Sequence, residues 1–331
     1  MNILITGATG FVGSYLTKTL IENGHHCRCL VRNEAKAKIR LPDSPKVEYW
    51  QGDVTDNNSL KGIAKDTDMI FHLAARMGHD RPSPEAFDKF RQVNVLGLQN
   101  ILEECRDHPG IKKIFHLSST ASYGILRNHI INEQTECHPY TPYQVSKHEA
   151  DQQALAYFHK GLPVVIIRPC MIYGPGFEGD FLTMAKVAGK GVYPRFGRGK
   201  NLAPSLYITD LIDALSLAMD HARTGEIYLI GPETSSSQQQ IVSVMSGFFE
   251  KNIISMYLPV FLAKFMASCQ EALFSLIGKK PMVTSRNIAS ITFDRILDIS
   301  KAKTDLGYRP RVPLEQGLIQ TLQWYRKEGL I

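Results

Sequence analysis

At 331 residues, with 44% apolar and 21% charged side chains, the chain is long enough to bury a full core and has no disordered or collagen-like signature. Its net charge of +6 comes from 38 basic and 32 acidic residues scattered along the chain, which argues against nucleic-acid binding. Six cysteines with neither a framework pattern nor a metal-ligand spacing predict no disulfide scaffold and no metal site. A fold signal starting at Asn2 adds an expected cytoplasmic location.

Apolar runs predict strands at 3–6, 27–31, 47–50, 69–73, 114–117, 164–168 and 227–230. Helix-period segments separate most of them, the pattern of parallel strands joined by crossover helices. The predicted architecture is an α/β, Rossmann-type doubly wound parallel sheet with a smaller, mostly helical C-terminal portion. In the first helix Val12, Leu16 and Leu20 repeat every four residues as one buried stripe, and Asn23-Gly24 stops it.

Between the first strand and that helix lie Gly7, Gly10 and Gly13. Glycine there allows a tight turn, close approach of backbone to a pyrophosphate, and close helix–strand packing. At the end of the second strand stands Val31-Arg32-Asn33, with no carboxylate to repel a ribose 2′-phosphate. Arg32, helped by Lys36, therefore predicts NADP(H) in preference to NAD(H), with NAD(H) also accepted. After the third strand Asp53 is placed to accept from an adenine amino group while Val54 packs on the ring; Asp53 equally suits a turn.

Ser118-Ser119-Thr120 follows the fifth strand, at the end where parallel sheets bind ligands. Tyr143 and Lys147 are four residues apart, on one face of a helix capped by Thr141-Pro142. A free tyrosine titrates near ~10, so its use as a base requires the lysine ammonium and a cationic nicotinamide ring to lower it. Past Arg168-Pro169 the chain breaks at Gly174-Pro175-Gly176. Segments 1–170 and about 203–230 are assigned to cofactor binding, and 171–202 with 231–331 to the substrate. The most apolar stretch, 253–277, is interrupted by Pro259, Lys264, Gln270 and Glu271, so no spanning segment is expected. It reads as helices lining a greasy pocket or core, leaving a peripheral membrane contact open.

These motifs together resemble the extended short-chain dehydrogenase/reductases, the NAD-dependent epimerase/dehydratase family. The matching residues include Thr6 through Gly13, Asp53-Val54-Thr55-Asp56, His72-Leu73-Ala74-Ala75, Asn94-Val95-Leu96-Gly97, Ser118-Ser119, Pro142 through Lys147, Arg168-Pro169 and Lys301 through Pro310. The resemblance implies a catalytic Ser119, Tyr143 and Lys147, with Thr120 as the runner-up to Ser119. It also implies cofactor contacts from Thr9, Phe11, Val12, Leu73, Ala74, Ala75, Asn94, Pro169 and Ile172, and a homodimer packed through the helices around 94–105 and 143–158.

Departures narrow the chemistry. Sugar-nucleotide dehydratases of this family carry an acidic pair after the catalytic Thr, where this chain has Ala121-Ser122. Epimerases place an Asn where this chain has Met171, and an Arg near Ala203. Gly197 through Leu202 and Pro281 through Arg286 resemble the 3β-hydroxysteroid and sterol dehydrogenase branch. The leading expectation is thus a dehydrogenase or ketone reductase for a hydrophobic small molecule, steroid-like or long-chain, with a nucleotide-sugar 4-epimerase as the alternative. Arg195 and Arg198 keep a phosphorylated substrate open.

Overall fold

The computed structural model describes residues 1–78, 80–126, 129–196, 199–276 and 293–331. Seven strands build one sheet: β1 (Asn2–Thr6), β2 (His26–Val31), β3 (Val47–Gln51), β4 (Met69–His72), β5 (Lys113–Leu117), β6 (Val164–Pro169) and β7 (Ile227–Ile230). Their spatial order is β7-β6-β5-β4-β1-β2-β3, every pair parallel. All seven are the strands that the apolar runs predict. The order reverses between β1 and β4, and such a switch point opens a crevice at the strands' C-terminal ends.

Both faces of the sheet are covered, which is why its strands read as continuous apolar runs rather than alternating ones. One face carries Ile3, Ile5, Phe71, Phe115, Val165 and Ile167 into a large cluster with the helices Phe11–Glu22 and Ile208–His221. The other carries Leu4, Ile70, Ile114 and Ile166 against the helices Gly97–Cys105 and Pro142–Phe158. In the first helix Leu16 and Leu20 are buried and Val12 is half-buried. Its end is Asn23 followed by Gly24 at φ +86°, as the sequence predicts.

The rest of the chain forms short pairings over the C-terminal edge. Met171–Tyr173 pairs with Ser205–Tyr207, and Leu202–Ala203 with Ser236–Ser237. Val192–Phe196 pairs with Ile254–Leu258, and His129–Ile131 with Arg295–Leu297. The polar turn before the helix Gln238–Phe249 ends in a capping box between Ser237 and Gln240.

One expectation fails here. Among the described residues of the apolar stretch only Ile253 joins the main core: Ile254–Leu258 is an exposed strand, and the helix Val260–Leu276 buries Ala263 and Ala267 while Phe261 and Phe265 face outward. Periodicity locates an apolar face without saying which way it looks. Among the described residues no helix is long and apolar enough to cross a membrane.

Candidate active site

The helix Pro142–Phe158 is set in place at its first turn. Thr141 accepts from the Gln144 backbone N–H while the Gln144 side chain reaches back to the Thr141 N–H, and Pro142 occupies the first helical position. This start directs Tyr143 and Lys147 toward the end of β5. The Lys147 Nζ donates to the Leu117 carbonyl at 2.7 Å, and the whole side chain is buried. Ser119 caps a short 3-10 turn, its Oγ accepting from the Ala121 N–H at 3.1 Å. Ser119 lies close enough to Tyr143 for its hydroxyl to favour the phenolate. Ser119, Tyr143 and Lys147 thus converge at one strand end. Phe90 lies edge-on to Tyr143, with ring centroids 6.2 Å apart.

Burial lowers the Lys147 ammonium to about 8, against the pull of the Asp151 carboxylate. Burial raises the Tyr143 phenol, and the nearby Ser119 hydroxyl offsets that only in part. The expected lowering of Tyr143 is therefore not supplied by the chain's own groups. Desolvation outweighs a lysine whose ammonium is turned to a backbone carbonyl.

Beneath the three residues lies a buried ionic cluster that the sequence reading missed. Arg168 Nε meets Asp151 Oδ2 at 2.9 Å, and His116 Nε2 approaches Asp151 Oδ1 at 3.4 Å. Burial alone would raise Asp151, but His116 and Arg168 hold it below the usual carboxylate range. Burial keeps His116 and His72 low, hence neutral, and the Thr6 hydroxyl pairs with His72 Nδ1 at 3.0 Å. The available signal was Asp151 at one helical turn past Lys147, on the same buried face.

The glycine loop fits a dinucleotide. Gly7 has φ +70°, and a Cβ there would lie 2.7 Å from the Ala74 nitrogen. A Cβ on Gly13 would lie 2.2 Å from the Gly7 oxygen, so the helix packs on the turn only without one. Gly10 caps the twelve-residue helix without a side-chain cap, leaving Thr9, Phe11 and Val12 at a helix N-terminus suited to phosphate. The Arg40 Nη1 donates to the Thr9 carbonyl at 3.2 Å. Leu73, Ala74 and Ala75 follow β4 against this loop, with the Ala74 N–H on the Thr6 hydroxyl at 3.2 Å.

The other expected cofactor residues lie on the same edge with differing local bonds. Arg32 and Lys36 are exposed just past β2, and the Asn33 side chain caps the next helix. Asp53 Oδ1 accepts from the Thr55 N–H and hydroxyl, the turn that the sequence also allowed; Val54 is buried against Gly97. Asn94 is a brace: its amide bonds the Arg76 backbone twice and the Ser146 hydroxyl once. Pro169 ends β6, and Ile172 lies in the pairing beside it. Of the segments that suggested a sterol enzyme, Gly197 and Arg198 and all of 281–286 lie outside the described residues.

A family model, the NAD dependent epimerase/dehydratase family, matches residues 3–231. The chain is 27% identical over 329 residues to a UDP-glucose 4-epimerase of Vibrio cholerae, covering 97% of this chain and 94% of that protein. It is 28% identical over 328 residues to an N-acetyl-alpha-D-glucosaminyl-diphospho-ditrans,octacis-undecaprenol 4-epimerase of Escherichia coli O157:H7, covering 98% and 95%. Among solved structures, a UDP-glucuronic acid 4-epimerase from Bacillus cereus in complex with UDP-glucuronic acid and NAD matches with a TM-score of 0.79 at 25% identity, covering 99% and 100%. These relatives are enzymes of diphosphate-linked sugars, so the sterol-dehydrogenase branch expected from short segments is corrected. With its sheet, its glycine turn and a match over most of its length, the chain is an enzyme belonging to the NAD dependent epimerase/dehydratase family.

Proposed function

We propose that the protein is a 4-epimerase of a diphosphate-linked sugar that uses a tightly held nicotinamide cofactor. The observation that carries the reading is the convergence of Ser119, Tyr143 and Lys147 at the end of β5. Residues 1–170 with about 203–230 hold the cofactor, and 171–202 with 231–331 hold the substrate. Bound nicotinamide would supply a hydride acceptor that later serves as donor. Tyr143 takes the proton of the sugar C4 hydroxyl and returns it after the sugar presents its other face. Ser119 holds the C4 oxygen, and Lys147 keeps positive charge beside the phenol.

Two further observations favour this over the long-chain alcohol expected earlier. Arg195 and Arg295 each bury an Nε with no hydrogen-bond partner among the described residues, as suits an anionic ligand. They stand in for the polar groups absent at Met171 and Ala203. Ala121-Ser122, in place of an acidic pair, disfavours elimination of water. Supplied with NAD and a panel of UDP-sugars, the protein should give the C4 epimer by proton NMR. Tyr143→Phe should lower turnover by about 10²–10⁴-fold with cofactor affinity unchanged. Epimerisation by the variant at the natural rate would contradict the assigned proton transfer.

Cofactor choice is part of this proposal. NAD(H) is the cofactor named with the solved relative, and the exposed Arg32 extends binding to NADP(H). A charge-assisted contact of roughly 1.5–3 kcal/mol gives a preference of about tenfold to a hundredfold for NADPH over NADH. Titration by fluorescence should show Arg32→Ala losing most of that preference; equal affinities in the natural protein would reject the contact. A homodimer through the helices Gly97–Cys105 and Pro142–Phe158 belongs to the same reading, and light scattering showing only monomer would count against it.

A further inference from the structure

The helix Val260–Leu276 is built inside out. Among its described side chains the small residues Ala263 and Ala267 are the buried positions, packed on Leu258 and Val260. Phe261 and Phe265 are 76% and 66% exposed, with Leu262 and Met266 exposed beside them. At about 100° per residue, these four form one face and the alanines the opposite one. The strand before it exposes Ile254, Met256 and Tyr257, and Val192, the register partner of Ile254, is exposed as well. Eight of the fifteen exposed large apolar side chains among the described residues therefore sit on three adjoining elements. Scattered apolar residues need no explanation, but a contiguous patch marks a docking surface.

Charge identifies the occupant. Residues 180–196 and 250–276 carry Lys186, Lys190, Arg195, Lys251 and Lys264 against Asp180, Glu250 and Glu271, an excess of positive charge. Lys186, Lys190 and Lys251 are exposed. A second copy of the chain, packed about a two-fold axis, would set this basic rim against itself. A bilayer with anionic headgroups meets both features, taking aromatic side chains into its interface and cations at its phosphates. We propose that this face docks the protein peripherally on an anionic lipid bilayer, with Phe261 and Phe265 inserted and the lysines at the headgroups. Glu271 on the same helix lies 3.8 Å from Arg81, which ties the docked face to the segment leading away from Ala75. The proposal goes beyond the epimerase reading and does not depend on it.

The test is sedimentation of the full chain with vesicles of phosphatidylcholine alone, or of equal parts phosphatidylcholine and phosphatidylglycerol. The protein should partition onto the mixed vesicles and more weakly onto the neutral ones. F261S/F265S should weaken partitioning by about tenfold or more, since each buried aromatic contributes about one decade. K186E/K190E/K251E should remove the preference for the anionic vesicles. Thermal unfolding reports whether each variant folds; should one fail, the other decides. No partitioning of the natural chain, or undiminished partitioning of folded variants, overturns the proposal. A dimer that F261S/F265S dissociates, seen by light scattering, assigns the face to a second copy and overturns it as well.

Discussion

Lys147 and Asp151 sit one helical turn apart in surroundings that oppose charge on both, and the two influence each other unequally. Asp151 draws its ionisation from Arg168 and His116, whereas Lys147 has only a backbone carbonyl and the more distant Asp151 to favour its ammonium. Replacing Asp151 by Asn should therefore push Lys147 further below about 8. In ¹³Cε-lysine NMR the midpoint of that residue should move down; an unchanged midpoint would show that the two do not communicate. The same substitution strands Arg168, and breaking a buried pair from one side costs roughly 3–5 kcal/mol, measurable by denaturant unfolding. Gly13→Ala is the sharpest change at the cofactor turn, because its Cβ would lie 2.2 Å from the Gly7 oxygen. It should lower both NAD affinity and stability, and normal titration of NAD into that variant would refute the close-packing account.

Local signals proved most legible where one residue type meets one backbone need. The first helix's stop, the Thr141-Pro142 start and the strand positions follow from turn chemistry and period, and the structure shows them. Thr141→Ala should cost about 0.5–2 kcal/mol by removing the cap, and should loosen the placement of Tyr143 with it. A thermal midpoint unchanged in this variant would mean that tertiary packing alone fixes the helix. Asp151, His116 and Arg168 stayed hidden because three separate elements bring them together, and no spacing within one of them reveals a pairing. Asn94 was legible as a polar residue of consequence but not as a brace, since Arg76 and Ser146 become its neighbours only in the fold. The helix after Pro259 misled for a different reason: its composition is that of a core helix, and only three-dimensional placement shows its large side chains outside.

The parallel sheet sets the glycine turn after β1 and Ser119 after β5 at the C-terminal ends of its strands, where the connections from the paired strands β1 and β4 lead in opposite directions. Because Asp151 is held below its unfolded range, its contribution to stability is present at neutral pH and is lost as pH falls through its folded value. Acid unfolding should accordingly shift to higher pH in Arg168→Met, and an unshifted midpoint would contradict the pairing. The central claim is a redox-neutral inversion at C4 carried out by Ser119, Tyr143 and Lys147. It is tested most directly with a UDP-sugar deuterated at C4, incubated with the protein and NAD and followed by NMR and absorbance together. The account predicts both C4 epimers with the label kept at C4 and no reduced cofactor accumulating. Label passing from the sugar into free reduced cofactor would contradict it and return the protein to a net dehydrogenase.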